Sequence, residues 1–106
     1  MKIYVGICVC PGIVKGKLVR YQAKKQYTKE DIVILNDYVT QNILQLKNAG
    51  AILSSTGGIT CHASIIAREF NIPCMVSAKG IENLKDGTEI TVDAAAEEVS
   101  VDEPRL

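Results

Sequence analysis

From residue 3 to residue 10 nearly every position is apolar, with Ile3, Val5, Ile7 and Val9 alternating with Tyr4, Gly6, Cys8 and Cys10. A repeat of two is that of a β-strand, whose successive side chains point to opposite faces. Pro11-Gly12 breaks the pattern, and Val14 to Tyr21 reads as a second strand. Ile32 to Leu35, a short apolar run between Asp31 and Asn36, suits a buried strand, and Ala51 to Leu53 is another short candidate. Between them, Ile43, Leu44 and Leu46 predict a short helix over Gln41 to Lys47, closed by Asn48, Ala49 and Gly50.

The repeat then changes. After the small, polar, glycine-rich stretch Ser54-Ser55-Thr56-Gly57-Gly58, the apolar residues Ala63, Ile66, Ala67 and Phe70 fall at i, i+3, i+4 and i+7. That spacing gives a helix one apolar face, and Pro73 stops it. Cys74 to Val76 reads as extended, Lys85-Asp86-Gly87 as a turn, and Glu89 to Val92 as an alternating strand, while Val99 and Val101 mark a last short strand. The sum is one mixed α/β domain with more strands than helices, spanning residues 1–106.

Composition narrows what such a domain does. A chain of 106 residues, 47% of them hydrophobic, buries roughly two-thirds of its unfolded surface, enough for one modest core. Twelve Lys and Arg balance twelve Asp and Glu, which argues against a nucleic-acid partner, since that function needs a basic patch. The longest apolar stretch, Ile3 to Val14, is too short for a bilayer and is interrupted by Gly6, Pro11 and Gly12, so no membrane association is expected. No small-x-small cleavage site follows it, and the four cysteines form no dense disulfide framework; both point to the cytoplasm.

Candidate chemistry centres on the single histidine, His62, placed where the glycine-rich loop meets the start of the helix. Free backbone N–H groups and the positive end of the helix dipole make such a start an anion site. Glycines at 57 and 58 let the backbone approach an anion closely. A histidine there serves as a general base, as a nucleophile that takes a phosphoryl group onto a ring nitrogen, or merely packs beside the helix start. Its ordinary pKa of about 6.5 leaves much of it neutral, hence nucleophilic, near pH 7. One histidine rules out a His-rich metal site, and no nucleophile elbow marks Ser-His-Asp catalysis. Cys8 and Cys10, two apart in a strand, are expected on one side as small buried hydrophobes.

The stretch Thr56-Gly57-Gly58-Ile59-Thr60-Cys61-His62-Ala63-Ser64-Ile65-Ile66-Ala67-Arg68-Glu69-Phe70-Asn71-Ile72-Pro73 resembles the phosphohistidine signature of the mobile, or swivelling, domain of phosphoenolpyruvate-utilising enzymes. That domain occurs in pyruvate phosphate dikinase, phosphoenolpyruvate synthase and enzyme I of the sugar phosphotransferase system. Thr60-Cys61-His62 is closer to the dikinase and synthase branch. Gly6 through Lys17 resembles the domain's opening, and Leu84-Lys85-Asp86-Gly87 with Glu89 to Asp93 resembles its closing strands. Two departures stand out: Ala94 to Glu98 fill a turn where glycines are common, and Ser77 stands where glycine is common.

The resemblance implies a swivelling β/β/α sandwich in which His62 accepts the phosphoryl group, on Nε2. It implies that Gly57, Gly58, Thr60 and Cys61 shape the loop, and that the N–H groups of Ala63 and Ser64 open the helix beneath the phosphate. Thr60 matches a position that is a regulatory phosphorylation site in some plant dikinases, and Cys61 is accounted for by the motif. Arg68, well below the loop, is expected to pair with an acid on a neighbouring surface. The expected function is a stand-alone phosphoryl carrier, a phosphotransferase component that does not turn over alone. It works in trans with nucleotide-binding and phosphoenolpyruvate- or pyruvate-binding partners. This chain is expected to bind no cofactor or metal, with magnesium accompanying ATP or phosphoenolpyruvate at the partner sites. The alternatives are a non-catalytic regulatory or anion-binding module docking onto a full-length homologue, and a metal- or redox-active Cys/His protein.

Overall fold

The computed structural model describes residues 2–20, 27–35, 43–55 and 62–101, of which 43–45 and 62–63 are described by backbone alone. In chain order the strands are β1 (Lys2–Val5), β2 (Ile7–Cys10), β3 (Ile13–Arg20), β4 (Asp31–Ile34), β5 (Ala51–Leu53), β6 (Cys74–Val76), β7 (Glu89–Asp93) and β8 (Glu98–Val101). One α-helix, α1 (His62–Phe70), lies between β5 and β6. The expected helix over Gln41 to Lys47 is instead a 3₁₀ segment, Ile43–Asn48, and a further 3₁₀ turn covers Ile81–Asn83.

All eight strands form one sheet in the order β1-β8-β7-β3-β4-β5-β6-β2. Strands β3, β4, β5 and β6 run parallel to one another, whereas β7, β8, β1 and β2 join antiparallel. Side-chain parity then divides the interior into layers. Val33, Ile52, Cys74 and Val76 pack in one cluster with Leu46, Ile66, Ala67 and Ile72, on the helix side. The alternate residues Ile32, Ala51, Leu53 and Met75 pack in a second cluster with Leu18, Ile90, Val92, Val99 and Val101 from the other half of the sheet. The central strands are therefore apolar on both faces, which is why they read as unbroken hydrophobic runs. The result is the expected β/β/α sandwich.

The stretch Ile3 to Cys10, which reads as one strand, is two. A side chain at residue 6 would place its Cβ 2.8 Å from the Val76 carbonyl oxygen and 3.1 Å from Ala78 Cβ, so only glycine passes there. The chain changes sheet neighbour at this point: β1 pairs with β8, and β2 pairs with β6. Tyr4 and Cys8 pack inward while Ile3, Val5 and Ile7 are exposed, so the apolar alternation points to solvent rather than to the core. Cys8 and Cys10 do not share a side either. A register shift between them turns Cys10 into the helix-side cluster and leaves Cys8 against the other.

The two departures from the family pattern fall on left-handed backbone. Ser77 has φ 54° and Glu97 has φ 60°. Non-glycine residues pay roughly 1–2 kcal/mol for that conformation. Glu97 offsets this cost, since its Oε2 accepts a hydrogen bond from the Cys8 N–H at 2.8 Å and its carbonyl accepts one from the Gly6 N–H at 3.3 Å. Glu97→Ala keeps the strained φ and loses the carboxylate, whereas Glu97→Gly loses both. In thermal or urea unfolding the Gly variant should be the more stable of the two by about 1 kcal/mol. Equal stabilities would show that the backbone angle costs nothing here.

Candidate functional site

The helix bearing the histidine belongs to a parallel β5–α1–β6 unit, the arrangement that places a helix start beyond the carboxyl ends of the strands. Ligands of open α/β sheets collect at that rim, because strand ends and helix N-termini expose backbone groups there. The segment leaving β5 is pinned on both sides. Ser54 N–H donates to the Met75 carbonyl and the Ser54 carbonyl accepts from Ala78 N–H, each at 3.0 Å, while Leu35 N–H donates to the Leu53 carbonyl at 2.8 Å. The Ser54 side chain is buried.

His62 is the first residue of α1. Ala63 follows it in the first turn, and Ser64, also in that turn, is fully buried. The expected loop residues Gly57, Gly58, Thr60 and Cys61 lie outside the described residues. Ile66 and Ala67 anchor the inner face of the helix, with Phe70 packed against the same cluster. Burying a residue such as Ile66 stabilises by about 1.5–3 kcal/mol, which fixes the helix against the sheet before any ligand arrives.

The far end of α1 is terminated with equal definition. Asn71 takes the left-handed conformation, φ 56°, and Ile72 N–H donates to the Ala67 carbonyl at 2.9 Å. This is a Schellman closure with its apolar contact between Ile72 and Ala67, followed by Pro73. Arg68 occupies the last turn, where a cation complements the negative end of the helix. It is exposed, and among the described residues it makes no ion pair, so the acid on a neighbouring surface expected to pair with it is not one of them.

Sequence reasoning missed two features of the structure. One is the full burial of Ser64, which the family resemblance marked only for its N–H. The other is a clamp by Arg20, whose Nη1 donates to Asp86 Oδ1 at 2.6 Å and whose Nη2 donates to the Glu82 and Leu84 carbonyls at 2.6 and 2.8 Å. These partners lie more than sixty residues away in the chain, so no local signal announces them. A shallow depression lined by Lys15, Gly16, Lys17, Glu30 and Glu89 sits at the opening end of β4, the end away from His62.

No disulfide joins the described cysteines, of which Cys10 and Cys74 are buried and Cys8 is partly so. Burial first, then the Glu97 carboxylate and Cys10, push the Cys8 thiol above its usual range. A raised pKa leaves less thiolate at neutral pH, so iodoacetamide at pH 7.5 should alkylate Cys8 several-fold more slowly than a free cysteine. A rate equal to or above that of free cysteine would revive the redox reading. Among the described residues no three His, Cys, Asp or Glu side chains group to hold a metal ion. No described helix is long and apolar enough to cross a membrane.

Residues 27–97 match the family model described as PEP-utilising enzyme, mobile domain. The chain belongs to this family. A probable phosphoenolpyruvate synthase of Archaeoglobus fulgidus is 36% identical over 92 residues, covering 83% of this chain and 12% of the relative. The phosphoenolpyruvate synthase of Escherichia coli is 49% identical over 51 residues, 47% of this chain and 6% of its own length. The chain thus spans a small fraction of the curated relatives it matches. Among solved structures, enzyme I superposes with a TM-score of 0.60 at 23% identity, over 78% of this chain and 34% of that one. Aconitase X of Thermococcus kodakaraensis superposes with a TM-score of 0.72 at 16% identity, over 97% of this chain and all of that one. Both likenesses concern the fold alone.

Proposed function

We propose that this mobile domain is a phosphoryl carrier, with His62 as the acceptor, in a system related to phosphoenolpyruvate synthase. The observation that carries this reading is the position of His62 as the first residue of α1, at the carboxyl-end rim of β5, within a chain of the PEP-utilising family. A neutral ring nitrogen attacks the donor phosphorus, a P–N bond forms, and the bond from phosphorus to the departing oxygen breaks with its electron pair leaving on that oxygen. The other ring nitrogen retains its proton, so the group remains a good leaving group for the return step. About two negative charges on the phosphorylated ring lie beside the positive end of the helix dipole, worth about 0.3–2 kcal/mol.

The donor and acceptor sites, nucleotide-binding and phosphoenolpyruvate- or pyruvate-binding, belong to units outside these 106 residues, and magnesium would be bound there with its phosphate ligand. Gly57, Gly58, Thr60 and Cys61 form the loop over the helix start in this proposal, and swivelling of the domain carries His62 between the two sites. Intact mass at mildly alkaline pH, after incubation with a clarified extract of the source organism and either phosphoenolpyruvate or ATP, tests it. A gain of one phosphoryl group that acid removes supports the carrier, and the effective donor identifies the supplying chemistry. No gain with either donor, from protein shown to be folded, would favour an anion-binding module.

A further inference from the structure

Cys10 of β2 and Cys74 of β6 stand directly opposite each other in an antiparallel pair. Opposed residues in such a pair have Cα atoms about 4.5–5.5 Å apart, within the roughly 4.4–6.8 Å that a disulfide spans. Spacing alone is not enough, since thiols on opposite faces of a sheet cannot meet. Here both side chains enter the helix-side cluster. The register shift after Cys8 brings this about: it turns Cys10 to the face of Cys74, while Cys8, opposite Met75, packs against the other cluster. The two thiols differ in access. Cys74 is fully buried, whereas Cys10 is 8% exposed and its Sγ donates to Oδ1 of the exposed Asn71 at 3.8 Å. β2 ends the sheet order and pairs with β6 alone, so local opening of this strand uncovers Cys10 while the central strands stay closed.

We infer that Cys10 and Cys74 are a redox pair, which a hydroperoxide closes to a cross-strand disulfide that staples β2 to β6. The Cys10 sulfur attacks a peroxide oxygen, the O–O bond breaks, and the departing oxygen takes the thiol proton and leaves as water or alcohol. The product is a sulfenic acid on Cys10. The Cys74 sulfur then attacks the Cys10 sulfur, the S–S bond forms, and the sulfenic oxygen leaves as water with the Cys74 proton. Two electrons pass from the thiols to the peroxide. The bond encloses β3, β4, β5 and α1 in one covalent loop, which restricts the unfolded chain. It is independent of phosphoryl transfer.

Folded protein treated with hydrogen peroxide, then blocked with N-ethylmaleimide in denaturant and digested with trypsin without reduction, tests the pair. The expected product joins residues 3–15 to residues 69–79 and is two hydrogens lighter than the separate peptides. Because Cys8 shares the first peptide, the product should persist in Cys8→Ala and vanish in Cys10→Ala, and fragment masses of the wild-type product should place the bond on Cys10. The oxidised wild type should melt about 10 °C above the reduced protein, and dithiothreitol should reverse the shift. Cys10 and Cys74 recovered with the blocking group, or carrying only added oxygen, overturn the inference, as does a bond made by Cys8 or Cys61 in their place. A linked protein that melts no higher than the reduced one overturns the staple.

Discussion

His62→Ala protein, given the extract and the effective donor, gains no acid-labile phosphate while unfolding at the same temperature as the wild type. The expectation follows from what each candidate acceptor can form. A ring nitrogen gives a P–N bond that acid cleaves, whereas a serine or threonine hydroxyl gives an ester that survives. The chain has one histidine, so removing it removes every imidazole. Loss of the nucleophile itself lowers the transfer rate by about 10³-fold or more, beyond what a change in docking produces. His62→Gln keeps a polar side chain at the helix start and should fail equally. Undiminished phosphate in either variant would move the acceptor elsewhere, and acid-stable phosphate would point to a hydroxyl.

The second large effect concerns the fold that presents the site. Gly16 lies in β3 between two partners, paired with Ile90 of β7 on one side and neighbouring the start of β4 on the other. A Cβ at this position would drive into the carbonyl oxygen of Glu30, the same oxygen that accepts a 2.8 Å hydrogen bond from Lys17 N–H. Neither group belongs to a flexible side chain, and β3 cannot move away because β7 holds it. Gly16→Val should therefore cost about 3 kcal/mol, from overpacking and the disturbed hydrogen bond together. That lowers Tm by roughly 12–24 °C for a domain of this size. Gly87→Ala supplies the comparison: its φ of 89° carries strain, yet nothing lies within 4 Å of the added carbon. It should cost no more than about 2 kcal/mol. A Gly16→Val protein as stable as Gly87→Ala would show that the strand relaxes around the new side chain.

The helix was the most legible element, because Ile66, Ala67 and Phe70 carry its register and Pro73 its end. The central strands were legible as buried runs, since apolar residues on both faces need no knowledge of their partners. Their parallel arrangement depends on which strand lies beside which, and short runs such as Ala51 to Leu53 carry no trace of that. The face that Ile3, Val5 and Ile7 present was hidden for a related reason. With Tyr4, Cys8 and Cys10 between them, both sides of the segment look apolar, and only the distant Val76 and Ala78 decide where Gly6 must bend. Local patterning marked His62 as a residue at a loop–helix junction, but the choice among base, nucleophile and bystander came from the whole motif.

The burial of β4, β5 and β6 on both faces has an evolutionary consequence. Substitution within those strands meets selection for shape and volume, so an inherited interior can drift only among apolar residues of similar size. The exposed positions of the segments that connect the strands answer to a different selection and change without disturbing either cluster. Descendants of such a domain acquire new chemistry by rewriting loops at one rim, while their common ancestry becomes visible in the course of the backbone long after the residues have diverged.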